Sequence, residues 1–83
     1  MPAMTLESPA RRVIDARGSF CPGPLMELIR AIRETPVGAV IAVRSTDRGS
    51  RIDIPKWVEK AGHRLLGIET TDGYDEIVVE KLR

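Results

Sequence analysis

Residues 15–25 of this 83-residue chain read DARGSFCPGPL, where a strand-like segment gives way to a helix-like one. The stretch holds Cys21, the only cysteine in the sequence, and a Pro-Gly-Pro sequence follows it directly. Proline suits the first turn of a helix, because the N–H group that it lacks would have no partner there. The stretch therefore predicts a loop that presents one cysteine at the start of a helix, with the rest of the chain as its scaffold.

Outward from this loop, hydrophobic spacing predicts four strands and two helices in the order strand, helix, strand, helix, strand, strand. Apolar residues recur from Leu25 to Ile32 at the spacing of one helix face, whereas β-branched runs bounded by turn residues predict strands. The predicted strands are 11–16, 39–43, 64–71 and 76–82. The predicted helices are 22–35 and a second one, which begins near 53–55 after a short helical turn that starts near Ser50, and which ends before Gly62.

Right-handed crossovers would place both helices on one face of the sheet. The expected fold class is therefore α+β, a two-layer βαβαββ sandwich with a four-stranded mixed sheet. Local signals agree with this order, with Gly62 as a left-handed helix end, Gly67 as a possible bulge and Asp72-Gly73 as a hairpin turn. We expect one domain over residues 11–83, preceded by a flexible lead-in over residues 1–10.

The composition argues against several classes of function. The chain has 13 basic and 12 acidic residues and one each of Phe, Trp and Tyr, so neither a strongly basic nucleic-acid binder nor a base-stacking platform is expected. No apolar run is long enough to cross a membrane. One cysteine and one histidine offer no intrachain disulfide and no zinc-binding spacing, so we expect no metal, no cofactor and a reducing, cytoplasmic setting.

The position of Cys21 predicts a reactive thiol. At the cap of a helix, the helix dipole and the Gly23 N–H group would favour the thiolate and lower the pKa of Cys21, although a lone cysteine can also be buried and inert. His63 lies at the end of the second predicted helix, and no second cysteine exists, so neither a histidine base nor a resolving thiol is at hand. Chemistry in which the thiolate accepts a group and hands it on remains, and sulfane sulfur carried as a persulfide suits it.

The pattern D-x-x-G-x-x-C-P-x-P-L over residues 15–25 resembles the signature of the TusA/SirA-like sulfur-carrier family, and the similarity extends over residues 13–82. The resemblance implies the sheet order 1-2-4-3 and a cytoplasmic sulfur carrier with a sulfurtransferase-type relay through a persulfide on Cys21. It also implies a donor, either a cysteine desulfurase or a rhodanese-like protein, and a downstream acceptor protein in tRNA thiolation, molybdenum-cofactor synthesis or sulfur oxidation.

The residues around the cysteine receive supporting roles in this hypothesis. Asp15 and Gly18 would shape the loop, because both residue types are frequent in turns. Pro22 and Pro24 would set the start of the helix and fix the direction of the sulfur.

Four residues are candidates for docking a partner protein. Phe20 is a candidate anchor, although it could instead close the loop onto the core. Arg17, Arg51 and Asp53 are the charged candidates. Several family members carry an arginine directly before the Asp-Ile-Pro segment, where this chain has Ile52 with Arg51 one residue earlier, so Arg51 and Asp53 could equally be a solvated surface pair.

Six arginines could also gather at the Cys21 end of the sheet. Such a patch would lower the pKa of the thiol and attract an acidic partner, whereas scattered, solvated arginines are the alternative. The six are Arg11, Arg12, Arg17, Arg44, Arg48 and Arg51.

Two other functions stay open from the sequence alone. One is a regulatory module that binds RNA or protein and has an inert cysteine, for which a thiol pKa near the ordinary ~8.5 and no sulfur uptake would be typical. The other is a redox sensor that forms a Cys21–Cys21 disulfide between two copies. We expect no stable direct binding to nucleic acid and no membrane association.

Overall fold

The computed structural model describes residues 11–20 and 22–83, so Cys21 and the lead-in predicted over residues 1–10 lie outside the described part. Two helices and four strands follow one another in the predicted order. They are β1 (Arg12–Asp15), α1 (Gly23–Glu34), β2 (Val40–Ser45), α2 (Ser50–Ala61), β3 (Arg64–Thr71) and β4 (Tyr74–Glu80).

The four strands form one mixed sheet in the order β1-β2-β4-β3. β1 pairs with β2 in parallel, and β4 lies antiparallel to both β2 and β3. The predicted α+β class and the strand order implied by the family resemblance are therefore confirmed. The order brings the carboxyl ends of β1 and β2 together at one edge of the sheet, where the cysteine loop leaves β1.

Side chains from alternate positions of the central strands make up the core between sheet and helices. Ile41 and Val43 of β2 lie opposite Val79 and Ile77 of β4, and all four are fully buried. Burial of each such side chain stabilises the fold by about 1.5–3 kcal/mol. The helices contribute Leu28, Ala31, Ile32, Ile54 and Val58 to the same cluster.

The first helix follows its prediction to within one residue at each end, but the second does not. α2 begins at Ser50, where a short helical turn was expected, and it is continuous from there, so the separate start near residues 53–55 is wrong and Pro55 lies inside the helix instead of in its first turn. The Asp47 carboxylate explains the earlier start, because it accepts hydrogen bonds from both the N–H and the hydroxyl of Ser50 at 3.2 Å. The helix ends as predicted at Gly62, whose φ of 84° is left-handed.

The last two strands contain the bulge and the tight hairpin turn that the sequence predicts. The pairing of β3 with β4 shifts between Leu65 and Gly67, so Leu66 is the extra residue of a bulge. Asp72 and Gly73 form a two-residue turn, so Thr71 pairs with Tyr74. β4 therefore starts two residues before its predicted beginning. No helix in residues 11–20 and 22–83 is long and apolar enough to cross a membrane.

Candidate functional site

In the loop between β1 and α1, the carboxylate of Asp15 binds both the backbone and the side chain of Arg17. Asp15 accepts hydrogen bonds from the backbone N–H of Arg17 at 3.2 Å and from the Arg17 guanidinium at 2.8 Å on each oxygen. These hydrogen bonds and the charge of the guanidinium lower the pKa of Asp15 to about 2. The carboxylate is therefore ionised throughout the neutral range.

The same loop is tied to the end of β2 through its backbone. Gly18 has a φ of 89°, which L side chains rarely adopt, and its N–H donates to the Thr46 hydroxyl at 3.0 Å. Ala16 N–H donates to the Arg44 carbonyl at 2.9 Å, and Ser19 N–H donates to the Ala16 carbonyl at 3.1 Å. The glycine therefore permits a backbone turn that brings the loop onto β2.

The start of α1 differs in detail from the expectation. The helix begins at Gly23 with Pro22 as its cap residue, one residue later than a cap at Cys21 would give. Gly23 N–H donates to the Phe20 carbonyl at 2.6 Å, so this group has a backbone partner and is not reserved for a thiolate. Pro24 is buried and gives no N–H. Leu25 N–H is the next in the chain, and no described residue accepts a hydrogen bond from it.

The hydrogen bond from Gly23 to Phe20 joins the residues on the two sides of position 21. Gly23 also lies close to Ser19, because a Cβ at Gly23 would be 3.2 Å from Ser19 Cβ. Cys21 itself lies outside the described residues, so its role as the sulfur-bearing residue stays a prediction at this point. The structure shows hydrogen bonds that hold the loop on both sides of position 21.

Two of the four docking candidates meet at the start of β4. The guanidinium carbon of Arg17 lies 5.1 Å from the ring centroid of Tyr74, and Arg51 pairs with Asp75 at 3.7 Å. Phe20 is 80 % exposed, so the alternative in which it closes the loop onto the core is wrong. Asp53 is half-buried in the first turn of α2.

The six arginines do not form one bare positive patch at this end of the molecule. Arg12 pairs with Glu34, the last residue of α1, while Arg11 and Arg44 share the carboxylate of Glu76. Arg17 is paired with Asp15 as described above. Arg48 is the one of the six without an ion-pair partner among the described residues. Most of the charge at this end is therefore neutralised locally.

Sequence reasoning missed three residues that shape the site. Thr46 anchors the loop, Tyr74 carries the Arg17 and Arg44 guanidinium groups against its ring, and Asp75 binds Arg51. The hairpin signal at Asp72-Gly73 placed Tyr74 at the start of a strand, but nothing in the local sequence linked it to a loop more than fifty residues earlier.

Comparisons with known proteins agree on one family. The family model described as Sulfurtransferase TusA matches residues 12–81. A candidate sulfur carrier protein of Archaeoglobus fulgidus is 52% identical over 71 residues, which cover 86% of this chain and 97% of that protein. The sulfur carrier protein TusA of Pseudomonas savastanoi is 39% identical over 61 residues, covering 74% of this chain and 73% of that protein. The crystal structure of a SirA-like protein from Desulfitobacterium hafniense superposes with a TM-score of 0.75 at 28% identity and covers 86% of this chain and 97% of that one.

Proposed function

The chain belongs to the sulfurtransferase TusA family, and we propose that it is a sulfur carrier that holds sulfane sulfur as a persulfide on Cys21. Relatives named as sulfur carriers support the carrier role, and the persulfide on Cys21 is the finer part of the proposal. The cytoplasm, where thiols stay reduced, suits a single unpaired cysteine of this kind.

The observation that carries the proposal is the hydrogen bond between Gly23 N–H and the Phe20 carbonyl at 2.6 Å. It joins Phe20, directly before position 21, to Gly23, the first residue of α1. Asp15 and Gly18 hold the preceding residues, and Pro22 stiffens the following one. A loop anchored on both sides of position 21 suits transfer between proteins, because it needs little rearrangement when a partner docks.

The chemistry needs only one thiolate on this chain. The Cys21 thiolate attacks the outer sulfur of a donor persulfide, so one S–S bond forms on Cys21 while the donor S–S bond breaks and its thiolate leaves. Unloading runs the same exchange with an acceptor thiolate as the attacking group. Neither step changes the total number of electrons or requires a base beyond the thiolate.

Two classes of partner follow from this chemistry. A donor must present a persulfide, as a cysteine desulfurase or a rhodanese-like protein does, and an acceptor must present a nucleophilic thiol. Phe20, which is exposed and precedes position 21, is an apolar group that a donor or an acceptor could contact. Arg17, Arg51 and Asp53 are the charged residues proposed for the same docking role. tRNA thiolation and sulfur oxidation are both compatible destinations for the sulfur.

Intact-mass measurement tests the proposal directly. Incubation with a cysteine desulfurase, cysteine and pyridoxal phosphate should add about 32 Da, the mass of one sulfur atom, to the wild-type chain. Cys21→Ser should gain nothing. No gain on the wild type, or an equal gain on the variant, would remove Cys21 from the reaction and favour a binding module with an inert cysteine.

A further inference from the structure

A cavity beside the cysteine loop has no role in the sulfur exchange described above. It has a volume of about 510 Å³ and lies between the start of α2 and the hairpin that joins β3 to β4. Arg48 and Arg51 line it from the helix side, and Thr70, Tyr74 and Asp75 line it from the hairpin. The cavity is largely open to solvent, so a ligand there would be held by its polar side chains and not by enclosure.

The lining offers hydrogen-bond donors in excess of acceptors. Two arginines and a single carboxylate, that of Asp75, are among the lining residues, and this carboxylate already accepts from the Thr70 hydroxyl at 2.8 Å. Arg51 reaches the same carboxylate only at 3.7 Å, longer than a charge-assisted hydrogen bond, so its N–H groups are not saturated by it. Arg48 has no ion-pair partner in the described part of the chain.

A hydroxyl group adds a further donor on the side of the loop. Thr46 lines the cavity and accepts the Gly18 N–H, which leaves its own O–H hydrogen for another acceptor. The first N–H group of α2 is not available to a ligand in the cavity, because Ser50 N–H already donates to Asp47. The side chains of Thr46, Arg48 and Arg51 are therefore the donors that would favour a ligand rich in hydrogen-bond acceptors.

We propose that this cavity is a binding site for a small tetrahedral oxyanion of the sulfate, phosphate and thiosulfate type, held by Arg48, Arg51 and the Thr46 hydroxyl. Guanidinium groups bind such oxygens through paired N–H groups, and the single lining carboxylate leaves the site with one net positive charge. Occupancy would be felt by the cysteine loop, because Thr46 is the residue that anchors Gly18. Thiosulfate is of special interest because it contains sulfane sulfur, and this preference alone rests on the proposed function.

The test is an NMR titration of the ¹⁵N-labelled Cys21→Ser chain with sodium thiosulfate and sodium sulfate, with sodium chloride as the matched salt. We expect saturable shifts of the Arg48 and Arg51 side-chain Nε–H signals and of the Thr46 and Gly18 amides. Arg48→Gln and Arg51→Gln should each weaken binding about tenfold, as loss of one charge-assisted contact does. Lys56→Gln, on an exposed part of α2 outside the cavity, is the control and should bind as the parent does.

Three results would overturn the proposal. The first is a set of shifts that grow linearly with anion concentration and match those of chloride. The second is unchanged binding in the Arg48→Gln, Arg51→Gln double variant. The third is saturable shifts with a short single-stranded RNA but with neither small anion. Because both arginines are exposed, the variants should fold, and their amide spectra check this. The Cys21→Ser chain cannot carry sulfur, so anion binding and sulfur loading succeed or fail independently.

Discussion

At the scale of single residues, the geometry of the cysteine loop depends on a few backbone angles and polar contacts. Gly18 holds a φ of 89° with no atom near its missing Cβ, so its role is conformational and not one of packing. Asp15 binds both the backbone and the side chain of Arg17. The motif glycine and aspartate, which the sequence placed in a loop-shaping role, are therefore tied to specific interactions.

Gly18→Ala tests the backbone requirement. An L side chain at this φ costs about 1–2 kcal/mol, and relief of the strain would move the loop away from Thr46. We expect a loss of stability of that size in urea unfolding together with several-fold slower sulfur loading. Gly38→Ala is a matched control, since Gly38 has a φ of 95° and equally open surroundings but lies beyond the far end of α1. Equal loading rates in the two variants would contradict the role of Gly18.

Asp15 gives the loop a defined pH dependence. Its folded pKa of about 2 lies below the ordinary value near 3.9, so its contribution to stability is complete above about pH 4 and is lost as the pH falls towards 2. The ¹³C signal of the Asp15 carboxyl should therefore titrate with a midpoint near 2 in the folded chain. A midpoint at the ordinary value would show that the Arg17 contact does not persist in solution.

At the scale of elements, both helix ends away from the site are closed by residues near the carboxyl end of the chain. The Lys81 ammonium donates to the Ile32 carbonyl at 2.6 Å and to the Thr35 carbonyl at 2.5 Å, at the end of α1. His63, just after α2, accepts the Leu82 N–H on Nδ1 at 3.2 Å. The few residues after β4 therefore fasten the two helices to the sheet.

Lys81→Met should destabilise the fold by about 1–2 kcal/mol, because it removes a cation from the negative end of α1 and leaves two carbonyls without this donor. Thermal or urea unfolding measures the difference. Lys56→Met, at an exposed position on α2, is the control and should change stability by less than about 0.5 kcal/mol. Equal effects of the two substitutions would mean that the contacts of Lys81 contribute nothing measurable.

His63 predicts a second pH effect, confined to the carboxyl end. Burial first, and then the charges of Lys81 and Arg83, lower the pKa of His63 below its ordinary 6.5. The neutral ring accepts the Leu82 N–H, so this contact is complete above pH 6.5 and is lost as the pH falls through the lowered pKa. The Leu82 amide should shift and exchange faster over that acidic range, and His63→Gln should remove the titration. A Leu82 amide that is insensitive to pH would contradict the contact.

At the scale of the whole molecule, the pattern of apolar residues predicted the fold. Individual polar contacts decided where α2 begins and how the arginines are paired. α1 was predicted within one residue because its proline start and its apolar face agree. The helix proper of α2 begins earlier than predicted because the Asp47 carboxylate, which binds Ser50, lies in a stretch that reads as a polar loop. Pro55 then looked like a first-turn residue when it is an interior one.

The candidate site was predictable along the chain but not across it. Asp15 and Gly18 lie in the turn where the sequence suggested, because turn chemistry is local. Pro22 and Pro24 lie at the start of α1, but one position earlier relative to the helix than predicted, with Pro22 as the cap residue. The ion pairs are different, since Arg11 meets Glu76 across 65 positions and only the sheet register brings them together. The sequence left open whether the six arginines form one patch for this reason, because spacing in the sequence does not reveal which carboxylate each guanidinium will bind.

The most direct test of the sulfur-carrier account is to locate the transferred sulfur and to remove it again. After loading by a cysteine desulfurase and alkylation, peptide mass mapping should place the additional ~32 Da on the peptide that contains Cys21. In a parallel sample that is not alkylated, a small thiol should return the chain to its original mass, because its thiolate takes the outer sulfur and the Cys21 thiolate leaves. A stable mass gain on another residue, or the same gain on Cys21→Ser, would contradict the account.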